Sequence, residues 1–187
     1  MLNCVYHGFV ENSTSFGYAC GVAPSRWLSD AEQDTWRAFL EATQRLNEQL
    51  DRELWQQSGM PLAYYQILAM LSEAPDRTLR MSDLAHRTWS SRSRLSHAVD
   101  RLEENGWVRR VKCPTDKRGA FAVLTDAGFG VLAAAAPAHV DSVRRHLFEQ
   151  LTPDQVRALG EISQVIATHL AAAAEACSVT EPDTASC

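Results

Sequence analysis

Residues 90–97 read Ser-Ser-Arg-Ser-Arg-Leu-Ser-His. Ser90, Ser91, Ser93 and Ser96 carry hydroxyls that both donate and accept, Arg92 and Arg94 carry planar forks of N–H donors, and His97 adds ring nitrogens. Short polar side chains interleaved with guanidiniums suit phosphate oxygens and base edges, because Arg can fork onto guanine O6 and N7. Ser91 equally suits a helix N-cap, where its hydroxyl accepts from an orphan backbone amide. A second basic group follows at Lys117 and Arg118, beside Gly119. An Arg at the tip of a thin hairpin can enter a narrow minor groove, where the negative potential is enhanced. Asp116, two residues before Arg118, can pair with it and fix its direction.

Other chemistries find little support. The nucleophile elbow G-x-S-x-G, the zinc motif H-E-x-x-H and the phosphate and dinucleotide loops are all missing, so no enzyme is expected. Ser96, His97 and Asp100 are neighbours in sequence, but adjacency on one helix does not build a nucleophile triad. Cys4, Cys20, Cys113, Cys177 and Cys187 are odd in number and contain no C-x-x-C pair. Neither a disulfide framework nor a structural zinc site is expected from them. His139 and His146 lie seven apart on one helix face and would need further ligands to hold a metal, while His169 is isolated. No metal and no cofactor is implied.

The elements that would position the basic residues follow from periodicity. Ser29 and Glu32 form a capping box. Trp36, Phe39, Leu40, Thr43, Leu46, Leu50 and Leu54 then recur at helical steps until Gly59 and Pro61 end the helix. A second helix is expected over about 62–74, closed by Pro75. A short helix near 81–88 and a longer one near 91–105, broken at Trp89–Ser90, make a helix-turn-helix. The longer one buries Leu95, Ala98, Val99 and Leu102, and Gly106 suits its C-terminal cap. The period then shifts to two over Trp107–Lys112 and Ala120–Leu124, with a polar Pro- and Gly-containing loop between them. That pattern is a β-hairpin, and directly after a helix-turn-helix it is a wing. Thr125 caps a helix running from Asp126 towards Glu149, where Pro137 predicts a kink. Thr152-Pro153-Asp154-Gln155 starts a last helix to about Ala174, with Val156, Leu159, Ile162, Val165, Ile166 and Leu170 along one side. The fold class is therefore mainly α with a small β-hairpin wing.

Charge supports this placement. The 187 residues carry 18 Lys plus Arg and 23 Asp plus Glu, a net −5 that argues at first against a nucleic-acid partner. Residues 77–118 hold eleven basic and five acidic groups, a local +6, which leaves −11 for everything else. The basic residues thus concentrate where the helix-turn-helix and wing fall, as a nucleic-acid surface requires. Hydrophobic content of 45% argues against wholesale disorder. No apolar run approaches the roughly 20 residues of a membrane span, so no membrane partner is expected. No basic segment precedes Arg26 to start a secretory signal, so the expected location is cytoplasmic.

The run from Leu79 to Gly128 resembles the MarR family of bacterial transcriptional regulators. The resemblance rests on Leu84-Ala85, on Asp100-x-Leu102-Glu103-x-x-Gly106, on Asp116-x-Arg118-Gly119 and on Leu124-Thr125-x-x-Gly128. It implies a winged helix-turn-helix over about 62–124, flanked by dimerisation helices at about 30–57 and 126–174. Together these fill one domain at 26–175, with an N-terminal arm at 1–25 and a disordered tail at 176–187. It further implies a homodimer that binds double-stranded DNA at a pseudo-palindromic operator, with Arg118 in the minor groove. Long apolar faces on the first and last helices support the dimer independently, since one short winged module cannot cover both. Members of the family often release DNA on binding a small aromatic or anionic molecule between the dimer helices and the winged module. Trp36, Phe39, Tyr64 and Tyr65 could line such a pocket, although their spacing equally suits a core. A second family mode is cysteine oxidation, for which Cys113 beside Lys112 is the candidate and Cys20 a weaker one. The expected function is a DNA-binding regulator, a repressor released by an effector. The alternatives are a redox-sensing regulator of the same fold, or a winged-helix protein-interaction module without DNA binding.

Overall fold

A computed structural model describes residues 27–112 and 119–178. Asp116, Lys117, Arg118 and Cys113, and the arm at 1–25, fall outside the described residues. The chain divides between Phe39 and Leu40 into two compact units. Helix α1, Asp30–Ser58, contains that division.

In the first unit the capping box forms as its sequence predicts. The Ser29 amide donates to Glu32 Oε2 at 2.7 Å, and the Glu32 amide donates to Ser29 Oγ at 3.3 Å. These bonds hold the Glu32 carboxyl below the usual carboxylate range. Trp36 and Phe39 stack with ring centroids 6.2 Å apart, and both remain about half exposed.

The second unit continues α1 and adds α2 (Leu62–Ser72), β1 (Thr78–Arg80), α3 (Met81–Arg87), α4 (Arg92–Glu104), β2 (Val108–Lys112), β3 (Ala120–Leu124), α5 (Asp126–His146) and α6 (Pro153–Ser178). Gly59 ends α1 at φ +67°, a left-handed value that only glycine adopts freely. The Asp51 carboxylate of α1 accepts from the Leu62 amide at 2.7 Å, giving α2 a cap supplied from eleven residues upstream. Thr125 caps α5 as expected, accepting from the Gly128 amide at 3.0 Å. Thr152 and Gln155 cap α6 reciprocally, at 2.9 and 3.3 Å. Helix α5 continues through Pro137 and stops at His146, short of the expected Glu149, because residues 148–150 tighten into a 3₁₀ turn.

The sheet has one strand more than the hairpin expected. Its order is β1-β3-β2, antiparallel throughout, with Leu79 opposite Ala122 and Arg110 opposite Ala122 on the other side. Leu79, Val108, Ala122 and Leu124 all point into the core. There they meet Leu68 and Leu71 of α2, Leu84 of α3 and Leu95, Val99 and Leu102 of α4. Burying side chains of this kind contributes about 1.5–3 kcal/mol each, so this cluster fixes α4 against the sheet. A smaller cluster joins Leu50 and Leu54 of α1 to Leu62 and Ala135.

Candidate nucleic-acid interface

The turn between α3 and α4 and the first turns of α4 place the polar, basic run. Ser91 is the N-cap of α4, and its Oγ accepts from the Arg94 amide at 3.3 Å. Leu95, Val99 and Leu102 take the buried face of the helix. Helical spacing therefore turns Arg92, Ser93, Arg94 and His97 to the surface, where all four are exposed. Among the described residues no carboxylate pairs with Arg92 or Arg94, and α4 has no acidic residue in its first turn. Two guanidiniums thus stand beside the free amides and positive dipole end of a 13-residue helix. That arrangement attracts phosphate and leaves the side chains free to reach base edges.

Ser90 and Ser96 behave differently from their neighbours. Ser90 Oγ donates to the Thr88 carbonyl at 3.3 Å, which orders the turn. Ser96 turns towards the sheet and meets Arg110 of β2, whose Nη2 donates to the Ser96 carbonyl at 2.8 Å and to Ser96 Oγ at 3.2 Å. Arg110 Nη1 also bonds Asp100 Oδ1 and lies 3.4 Å from Glu103 Oε2, while the Arg110 amide donates to Glu103 Oε1 at 2.7 Å. The Arg110 hydrogen bond, above all, holds the Asp100 carboxyl below its ordinary value. Arg110 therefore clamps α4 to β2. Sequence reasoning counted it only as part of the basic patch. The available signal was Asp100 and Glu103 on one helix face, facing an Arg on the following strand.

The connection after the wing is equally constrained. Thr125 Oγ1 donates to the Gly106 carbonyl at 2.7 Å, at the left-handed end of α4, and its amide donates to the Trp107 carbonyl at 3.0 Å. A Cβ on Gly128 would collide with the Trp107 carbonyl oxygen. The L-T-x-x-G sequence is thus a physical joint, locking the start of α5 against the start of β2.

The four aromatic candidates for an effector pocket do not share one setting. Trp36 and Phe39 belong to the first unit and are exposed. Tyr64 and Tyr65 of the second unit pack partly buried against the core, where burial raises the Tyr65 hydroxyl pKa. Tyr65 lies 4.3 Å, centroid to centroid, from His139, whose own pKa is lowered by burial. A cavity of about 270 Å³ opens elsewhere, between Leu54, Gln57 and Ser58 of α1 and Val131, Ala135 and Ala138 of α5. None of the four aromatics lines it. His146 bonds Glu53 at 2.7 Å. No helix among the described residues is long and apolar enough to cross a membrane.

Residues 58–119, the core of this arrangement, match the MarR family. The chain is 53% identical to Sco3205, a MarR family transcriptional regulator from Streptomyces coelicolor solved in complex with DNA. That likeness covers 79% of this chain and 92% of Sco3205, with a TM-score of 0.74. AbsC, a second MarR family transcriptional regulator from Streptomyces coelicolor, is 44% identical over 79% of this chain and 99% of its own, with a TM-score of 0.72. The transcriptional regulator HosA of Escherichia coli O111:H- is 30% identical over 119 residues, which span 64% of this chain and 86% of HosA.

Proposed function

This chain belongs to the MarR family of transcriptional regulators, and from that premise we propose that it binds double-stranded DNA as a homodimer and represses transcription at a pseudo-palindromic operator. The observation that carries the reading is the exposed start of α4, where Arg92 and Arg94 flank the helix N-terminus with no carboxylate partner among the described residues. Ser91, Arg92, Ser93, Arg94 and His97 work the major groove. Ser90 and Ser96 hold the turn and the helix in place behind them. Lys117 and Arg118 work the adjacent minor groove, with Asp116 orienting Arg118. Helices at about 30–57 and 126–174 join the two copies around winged modules at about 62–124. A small aromatic or anionic effector releases the DNA. If Trp36 and Phe39 line its site, such a compound changes tryptophan fluorescence in the parent and not in the Trp36→Phe variant.

A salt titration tests DNA binding. The full chain is mixed with fluorescent random-sequence duplex DNA, and anisotropy is followed from 50 to 200 mM salt. A dimer that neutralises about six phosphates loses affinity on the order of 10³-fold over that range. Failure to bind duplex at 50 mM salt would overturn the reading and leave a winged-helix protein-interaction module in its place.

A further inference from the structure

Helices α3 and α4 end in the same hydrogen-bond pattern with different residues at its critical position. After α4 the Gly106 amide donates to the Glu103 carbonyl at 2.9 Å and the Trp107 amide to the Leu102 carbonyl at 2.9 Å. After α3 the Trp89 amide donates to the His86 carbonyl at 3.2 Å and the Ser90 amide to the Ala85 carbonyl at 3.0 Å. Both are paired caps whose middle residue must adopt a left-handed backbone. Gly106 does so at φ +72° and Gly59, which ends α1, at +67°. At the exit of α3 the chain places Trp89, at φ +52°.

A Trp in that conformation is strained, and strain of this kind persists where something else requires the side chain. The fold does not require it. Trp89 is 83% exposed, and its ring lies beside the His86 ring, tilted at 36° with centroids 5.8 Å apart. The other left-handed non-glycine residues are accounted for. Asp76 is of a type that tolerates the conformation. Arg77 is held by Asp126 at 3.0 Å and lies 4.1 Å from the Phe129 ring. Trp89 immediately precedes Ser90, Ser91 and Arg92, and Arg87 lies two residues before it. The largest exposed apolar side chain of the helix-turn-helix therefore stands in a basic setting, at the mouth of the helix assigned to DNA.

We propose that Trp89 is a DNA-backbone contact, its ring packed on the deoxyribose edge of the groove that receives α4 and its indole N–H donating to a phosphate oxygen. The inference rests on the DNA-binding reading of α4. A sugar-phosphate contact carries no sequence information, so Trp89 adds affinity equally to operator and random DNA. An uncharged indole displaces no counterion and leaves the salt dependence unchanged.

The test uses the full chain, the duplexes that the parent selects from a random library, and a random-sequence duplex. Trp89→Gly is expected to raise the thermal midpoint by about 2 °C or more, since glycine relieves the strain. It should weaken binding about tenfold on both duplexes. Trp89→Phe keeps a ring without the N–H and should fall between that variant and the parent on both. Parent-like affinity of Trp89→Gly overturns the proposal. So does a loss confined to the selected duplexes, which would make the contact one to bases. A fall in midpoint for Trp89→Gly overturns the strain argument and makes Trp89 a structural residue, with parent-like binding by Trp89→Phe as the companion result. A parent that binds neither duplex overturns the DNA-binding reading itself, whereas the other adverse outcomes overturn only the role of Trp89.

Discussion

Single side chains divide the region proposed to face DNA into residues that reach outward and residues that brace them. Arg92 and Arg94 reach outward, while Arg110 braces, spending its donors on Ser96, Asp100 and Glu103. The two roles predict different phenotypes. Arg94→Ala should leave the fold intact, cost about 1–3 kcal/mol of operator binding and relax preference at one base position. Competition binding against single-base operator variants reads both effects. Arg110→Ala removes the guanidinium donors from the Ser96 carbonyl and the Asp100 carboxylate, while the backbone amide at 110 still donates to Glu103. It should lower urea stability by about 1–3 kcal/mol as well as weaken DNA binding. Arg118→Ala is expected to weaken operator binding several-fold with an unchanged circular dichroism spectrum. Residues of the first kind were legible in the sequence, because a run of Ser and Arg after a helix break carries its meaning locally. Arg110 was not, since its role depends on a strand packing back against a helix. Trp89 was visible only as a helix break, because its backbone angle and exposure are properties of the folded turn.

Elements meet at two joints with different chemistry. At the first, Thr125 and Gly128 seat α5 against the chain leaving α4. Gly128→Ala should destabilise the fold by about 1–3 kcal/mol, measured by urea unfolding, because the added methyl meets backbone that cannot move aside cheaply. At the second, Glu53 of α1 meets α5, bonding Ser142 Oγ and lying 2.7 Å from His146 Nε2. The Ser142 hydrogen bond first, and His146 second, hold the Glu53 carboxyl down to about 2, against an ordinary value of 4.5. A depressed carboxylate contributes its stabilisation in full above the unfolded pKa and loses it as pH falls towards the folded one. The gap in urea midpoint between the parent and Glu53→Gln should therefore narrow as pH falls from about 4.5 to 2. A gap unaffected by pH would contradict this account of the joint. The helix caps at Ser29, Thr125 and Thr152 were readable in advance, because both partners lie within three residues. Strand β1 was missed because three residues, Thr78–Arg80, become a strand only by pairing with β3, far along the chain. The Glu53 joint and the Asp51 cap were hidden for the same reason.

At the scale of the whole molecule, α6 presents Ile162, Val165, Ile166 and Leu170 at helical spacing, each 45–70% exposed in the single chain. An apolar row of that length suits the dimer contact proposed for this helix. Sedimentation at micromolar concentration should give twice the 20.8 kDa chain mass. Val165→Asp combined with Ile166→Asp should shift that mass towards one chain and weaken operator binding with it. The net charge of −5 illustrates how a sum misleads at this scale. It averages a +6 segment at residues 77–118 with a −11 remainder, and only their separation along the chain bears on the proposed DNA contact. In the proposed dimer, twofold symmetry sets the form of the target, because two copies of α4 would enter successive turns of one groove face. Selection of bound duplexes from a random DNA library by the full chain tests this most directly. The account predicts an enriched pseudo-palindrome with half-site centres about 10 base pairs apart. Recovery of no enriched sequence, or of one without inverted repeats, would contradict it.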